Sequence, residues 1–137
     1  MGSRIFLAAV EPSTLTIESV GDAVRQRWPE VDQYRRDHNG ERRLGFMAPV
    51  DSSLVDCVFF EGQQFVTADL SEPGAAFLEW FQRLAPETVP WVVFTEQWTD
   101  PVPVPARATA QQLLNAAHWP DTGSQPDPAT PQRPAPV

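Results

Sequence analysis

The chain has no lysine: all ten basic residues in its 137 are arginine. Together with abundant proline, alanine and aspartate, this is the composition expected of a GC-rich coding genome such as an actinobacterium's. Cysteine occurs once, at Cys57. One thiol excludes an internal disulfide and cannot anchor a zinc site unaided. No run approaches the roughly 18 apolar residues that a membrane-crossing helix needs. The first residues lack the basic region and cleavage site of a secretory signal, so a soluble cytoplasmic protein is expected. Catalytic signatures are missing too. The sequence carries no glycine-rich phosphate loop, CxxC, HExxH or nucleophile elbow.

What is present is acidic charge, unevenly placed. The formal net charge is −8. Residues 1–43 balance seven arginines against seven acids, and residues 107–137 balance two against two. Residues 44–106 hold Arg83 against nine acids and so carry the whole excess. Such a field disfavours nucleic acid and anionic membranes and favours a cationic protein partner. The same charge also serves solubility.

The apolar residues sort into periodic runs. Arg4–Val10 reads as a central strand covered on both faces. Ile17–Trp28 reads as a helix capped by Thr16, with Ile17, Val20, Val24 and Trp28 on its buried stripe. Asn39-Gly40 suggests a loose hairpin tip with strands near 31–36 and 41–50, the outgoing one the clearer because Leu44, Phe46 and Pro49 bracket a β-like run. Leu54–Phe60 and Gln64–Leu70 form the central hairpin, turning at Glu61-Gly62-Gln63. A helix over about 72–84 follows its cap Ser71, with Phe77, Trp80, Phe81 and Leu84 inward. Val89–Thr95 reads as a buried strand. Asp100–Pro105 reads as a proline-alternating connector. Thr109 and Gln112 fit a capping box that opens a last helix over 110–118. Six prolines in the nineteen residues from Trp119 predict a disordered tail.

The domain is thus residues 1–118, with a tail over 119–137. The expected class is α+β, in the order β-α-β-β-β-α-β-α. One mixed or mostly antiparallel sheet carries its helices on one face, as in a ferredoxin-like, split βαβ plan.

Four acids draw attention as a surface. Glu96 and Asp100 follow a buried strand, and Asp56 and Asp69 lie on the neighbouring hairpin. As paired carboxylates they would hold a metal or act as acid and base, or simply face water through strand alternation. Trp98 beside Glu96 has the look of a protein-binding hot spot, or else covers the sheet edge. Trp91 is read as core or as part of that surface. Arg35, Arg36, Arg42 and Arg43 with Tyr34 suggest a phosphate or RNA patch, but Asp32, Asp37 and Glu41 interleave and cancel it. Cys57 on a buried strand is a small hydrophobe, and His38 and His118 give it no evident base.

The run ADLSEPGAAFLEWFQRLAPETVPWVVFTEQ (residues 68–97) resembles small acidic α/β proteins of actinobacteria, many of them regarded as immunity partners of polymorphic toxins. The resemblance implies a non-enzymatic protein that inhibits a toxin with acidic and aromatic side chains. It carries over no residue-level site. The expectation is therefore a protein-binding module without cofactor or metal, meeting a cationic partner through Trp98, Glu96, Asp100, Asp69 and Asp56. Two alternatives stand beside it. One is an accessory or structural subunit of a larger bacterial assembly, and the other a small carboxylate-based enzyme or ligand binder.

Overall fold

The computed structural model describes residues 3–10, 15–96 and 98–118, with backbone alone for His38, Trp98, Thr99 and His118. The expected tail, 119–137, lies outside the described residues. Those described form ten elements: β1 (Arg4–Ala9), α1 (Ile17–Arg27), β2 (Gln33–His38), β3 (Glu41–Val50), β4 (Ser53–Phe60), β5 (Phe65–Asp69), α2 (Glu72–Gln82), β6 (Trp91–Thr95), β7 (Trp98–Val104) and α3 (Ala110–His118). The strands join one antiparallel sheet in the order β2-β3-β4-β5-β1-β6-β7. The class is α+β, as expected, but the element order has two strands more.

The first is β2, the incoming arm of the hairpin expected at Asn39-Gly40, of which the expected order counted only the outgoing arm. Both turn residues take positive φ, 52° and 83°, the left-handed pair that a two-residue hairpin turn requires. The second is β7, which replaces the expected connector over 100–105. Proline cannot donate to a ladder, which argues against a strand in general. Here Pro101 and Pro103 lie on an edge strand that pairs with β6 alone, where a missing outward N–H costs nothing. Alternating proline at such a site still permits a strand.

The helices begin where local chemistry places them. The Thr16 hydroxyl accepts from the Ser19 N–H at 3.0 Å, and Ser19 returns the bond to the Thr16 N–H. Ser71 accepts from the Gly74 N–H at 3.1 Å. Thr109 and Gln112 close the third cap reciprocally, at 2.8 and 3.1 Å. Gly74 fits only because it lacks a side chain. A Cβ there would stand 1.8 Å from the Asp69 carbonyl oxygen, so the first turn of α2 lies directly on the end of β5.

All three helices pack on one face of the sheet. That face supplies Ile5 and Leu7, Phe46, Cys57 and Phe59, Val66 and Ala68, and Val93 to the core. α1 adds Ile17, Val20 and Val24, α2 adds Phe77, Leu78 and Phe81, and α3 adds Leu113 and Ala117. Trp91 is buried against Phe81 and belongs to this core. At about 25 cal/mol per Å² of apolar surface removed from water, such burial is the main stabilising term. Among the described residues Gln82 is the one long polar side chain inside it, 1% exposed. Its amide donates to the Ala108 carbonyl and accepts from the Ala108 N–H at 3.1 Å, fastening α2 to the segment before α3.

The other face carries no helix among the described residues. β1 is therefore central but not covered on both sides, as its unbroken apolar run suggested. Its outward residue Phe6 is shielded by its neighbours instead: it stacks on Phe94 at 4.9 Å and tilts against Phe65 at 5.8 Å. Phe65 in turn stacks on Phe60 at 4.4 Å. The β4–β5 turn differs from expectation in one detail. Gln64, not Gly62, takes the positive φ, at 54°. Gly62 serves instead to let the Glu41 carboxylate approach its N–H, at 2.7 Å.

Candidate functional site

Strand direction sorts the charges. β1, β2, β4 and β7 run one way, and β3, β5 and β6 the other. One end of the sheet thus gathers the starts of β1, β2, β4 and β7 with the ends of β3, β5 and β6. Glu30 and Asp32 precede β2 there, and Asp51 turns β3 into β4. Asp56, Asp69, Glu72, Glu96 and Asp100 complete that end. The arginines beside them are Arg4 and the last-turn Arg25 and Arg27 of α1. Arg25 is already paired with Asp22 at 2.8 Å.

The structure brings together three of the four acids singled out in the sequence, and it does so through Arg4. Arg4 Nη1 lies 3.3 Å from Asp56 Oδ2 and 3.2 Å from Asp69 Oδ1. The same guanidinium donates to the Thr67 hydroxyl from Nε at 3.0 Å and from Nη2. The backbone N–H of Arg4 donates to Glu96 Oε1 at 3.0 Å. Asp69 also accepts from the Asp56 N–H, at 3.2 Å. Facing carboxylates on adjacent strands would repel, and the arginine between them removes that cost. Asp100 stands apart, exposed on β7. Trp98 pairs with Thr95 through the backbone, and its side chain lies outside the described residues.

Other sequence candidates resolve differently. The four arginines do not form one patch. Arg42 reaches Glu18 at 2.7 Å and Glu61 at 3.1 Å, and Arg35 reaches Glu18 at 3.5 Å, all beside α1. Arg36 and Arg43 point to the helix-free face, over the rings of Tyr34 at 5.9 Å and Phe60 at 4.9 Å. Arg43 Nε is buried there with no hydrogen-bond partner among the described residues. Cys57 is fully buried, and burial pushes its thiol far above the ordinary range. It packs as a core residue. Among the described residues no three His, Cys, Asp or Glu side chains converge to hold a metal ion, and no helix is long and apolar enough to cross a membrane.

Sequence reasoning missed a depression of about 570 Å³ at a corner of the helix-free face. Glu30, Val31, Asp32, Tyr34, Met47, Pro49 and Leu54 line it. Tyr34 is 46% exposed, Met47 40% and Leu54 64%. The signal was in the sequence as strand alternation. Tyr34, Met47, Pro49 and Leu54 fall on the same side of three adjacent strands, but only the position of the helices tells which side is open.

A second hollow of about 360 Å³ lies between α1 and β2. Its charges are matched internally: Glu18 with Arg35, Asp22 with Arg25, and the Gln33 amide with the Gly21 carbonyl at 3.0 Å.

Comparison of the chain with protein-family models, with curated proteins and with solved structures finds no match.

Proposed function

We propose that this chain is a non-enzymatic protein-binding module that recognises a cationic protein, in the manner of an immunity protein that blocks a toxin or effector. The observation that carries this reading is the segregation of charge. Acids on β4, β5 and β7, in the connections before β2, after β3 and after β6, and in the first turn of α2 stand at one end of the sheet, and the arginines there are few and partly used within the chain. A field of one sign concentrated at one end steers an oppositely charged partner and selects against others. The burial of Cys57 and the closing of Asp56 and Asp69 onto Arg4 support a role outside catalysis. The order β4-β5-β1-β6, with α1 and α2 in their places along the chain, supports a split βαβ, ferredoxin-like core extended by β2-β3 and β7. A cytoplasmic location fits this reading.

One specific observation favours a second reading, an accessory subunit of a larger assembly. Phe6, Phe60, Phe65 and Phe94 are only half-buried on the helix-free face, a surface that a neighbouring subunit would cover.

The test is capture of partners from the source organism, with the wild-type chain and an Asp51→Lys/Asp100→Lys variant as bait. Both positions are exposed. The expected result is a basic protein held by the wild type, released by added salt and lost from the variant. Co-expression should then neutralise whatever activity that protein has. Equal capture by both baits would defeat the reading.

A further inference from the structure

Resting on the protein-binding reading, we propose that the corner depression on the helix-free face is its anchor subsite, and that it takes an apolar side chain flanked by arginine or lysine from an extended segment of the partner. Three of the four most exposed large apolar side chains among the described residues, Tyr34, Met47 and Leu54, meet in this one hollow. Singly exposed apolar residues need no explanation, but a concave group of them does.

The floor is built in advance. The Tyr34 ring lies against Gly45, so close that a Cβ there would meet the ring at 2.6 Å. The missing side chain lets an exposed tyrosine hold one position, and Arg36 stands over the same ring. A rigid aromatic floor lowers the ordering cost of binding.

The charge around the hollow chooses the occupant. Glu30 and Asp32 line it and no basic residue does. A purely apolar ligand would leave both carboxylates unanswered, and an acidic one would be repelled. A segment with an aliphatic or aromatic residue between basic ones satisfies floor and rim together. The neighbouring hollow of about 410 Å³ shares Leu54 and continues toward Ser71 and Pro73 at the start of α2. An extended segment therefore has a path along the acidic end.

The test is a nuclear magnetic resonance titration of the full chain with two blocked peptides, Arg-Trp-Arg and Glu-Trp-Glu. The expected result is saturable shifts at Tyr34, Met47 and Leu54 with the basic peptide and none with the acidic one. Leu54→Ser should weaken the basic peptide about tenfold, equivalent to 1.4 kcal/mol. Gly45→Ala should do the same by displacing the Tyr34 ring, a movable obstacle, with the fold intact by its spectrum. Glu87→Lys, an equal charge change at an exposed position at the opposite end of the sheet, should leave the peptide affinity nearly unchanged. Shifts confined to the Glu96 and Asp100 region and indifferent to Leu54→Ser would overturn the anchor and leave the charge-based reading standing. No saturable shift, or equal binding of both peptides, would overturn it as well. Tight anchoring beside indifferent partner capture would instead sink the charge-based reading.

Discussion

Arg4 and Asp69 stand opposite each other in the ladder between β1 and β5 and close an ion pair at 3.2 Å. Asp56, one strand further, shares the same Nη1. The Arg4 side chain is mostly enclosed, while both carboxylates remain more than two-fifths exposed, so water screens the pairs. Removing the arginine does more than lose the pairs, because it sets two facing carboxylates against each other.

Arg4→Gln should therefore destabilise the fold by about 1–2 kcal/mol, read as a lower denaturant midpoint. Arg4→Lys should recover only part of the loss, because a point charge cannot reach Thr67 and two carboxylates as the guanidinium fork does. An Asp56→Asn change added to Arg4→Gln should restore stability by relieving the repulsion. A double variant no more stable than the single one would refute that account.

Glu18 supplies a pH prediction. Its own backbone N–H and the Arg42 guanidinium hold its carboxyl below the usual carboxylate range. A carboxyl depressed in the folded state favours folding above its unfolded pKa, and that contribution disappears as pH falls through the folded value. The stability gap between wild type and Glu18→Gln should thus be constant near neutrality and close below about pH 4.5. A gap that widens on acidification would contradict the sign.

Gln82 is buried with its amide engaged on both sides by the Ala108 backbone. Gln82→Leu keeps the volume and strands a buried N–H and carbonyl. A loss of about 2–4 kcal/mol is expected, with faster hydrogen exchange in α3 than in the sheet. A near-neutral effect would mean that water takes over both groups.

Cys57 should resist alkylation in the folded protein at pH 8 and react at once in denaturant, since both access and ionisation are suppressed. Labelling at the rate of an exposed thiol would show the β4 face to be open.

The sequence displayed whatever depends on neighbours a few positions away. The caps at Thr16, Ser71 and Thr109 are local hydrogen-bond choices, and the Asn39-Gly40 turn is a local φ preference. The turn at Asp51-Ser52 takes the same left-handed pair, 51° and 66°, without glycine or asparagine to announce it. The β4 alternation separates Val55, Cys57 and Phe59 from Asp56, Val58 and Phe60, and burial follows that division. It could not tell which set faces the helices, because that is decided by chain distant in sequence. The Arg4 network joins residues 52, 65 and 92 positions apart. Arg4 sits at the tip of an apolar run and gives no local sign of its partners. Gln82 likewise depends on a partner 26 positions away, the Ala108 backbone.

The two rims of the sheet are not equivalent. β7 presents Pro101 and Pro103, and β2 presents an unbroken row of residues that retain their amide hydrogens. Strand recruitment needs those hydrogens, so only the β2 rim can template another strand. A second copy aligned rim to rim would leave only proline-bearing rims at both ends. Through the described strands, lateral growth would then stop at a pair.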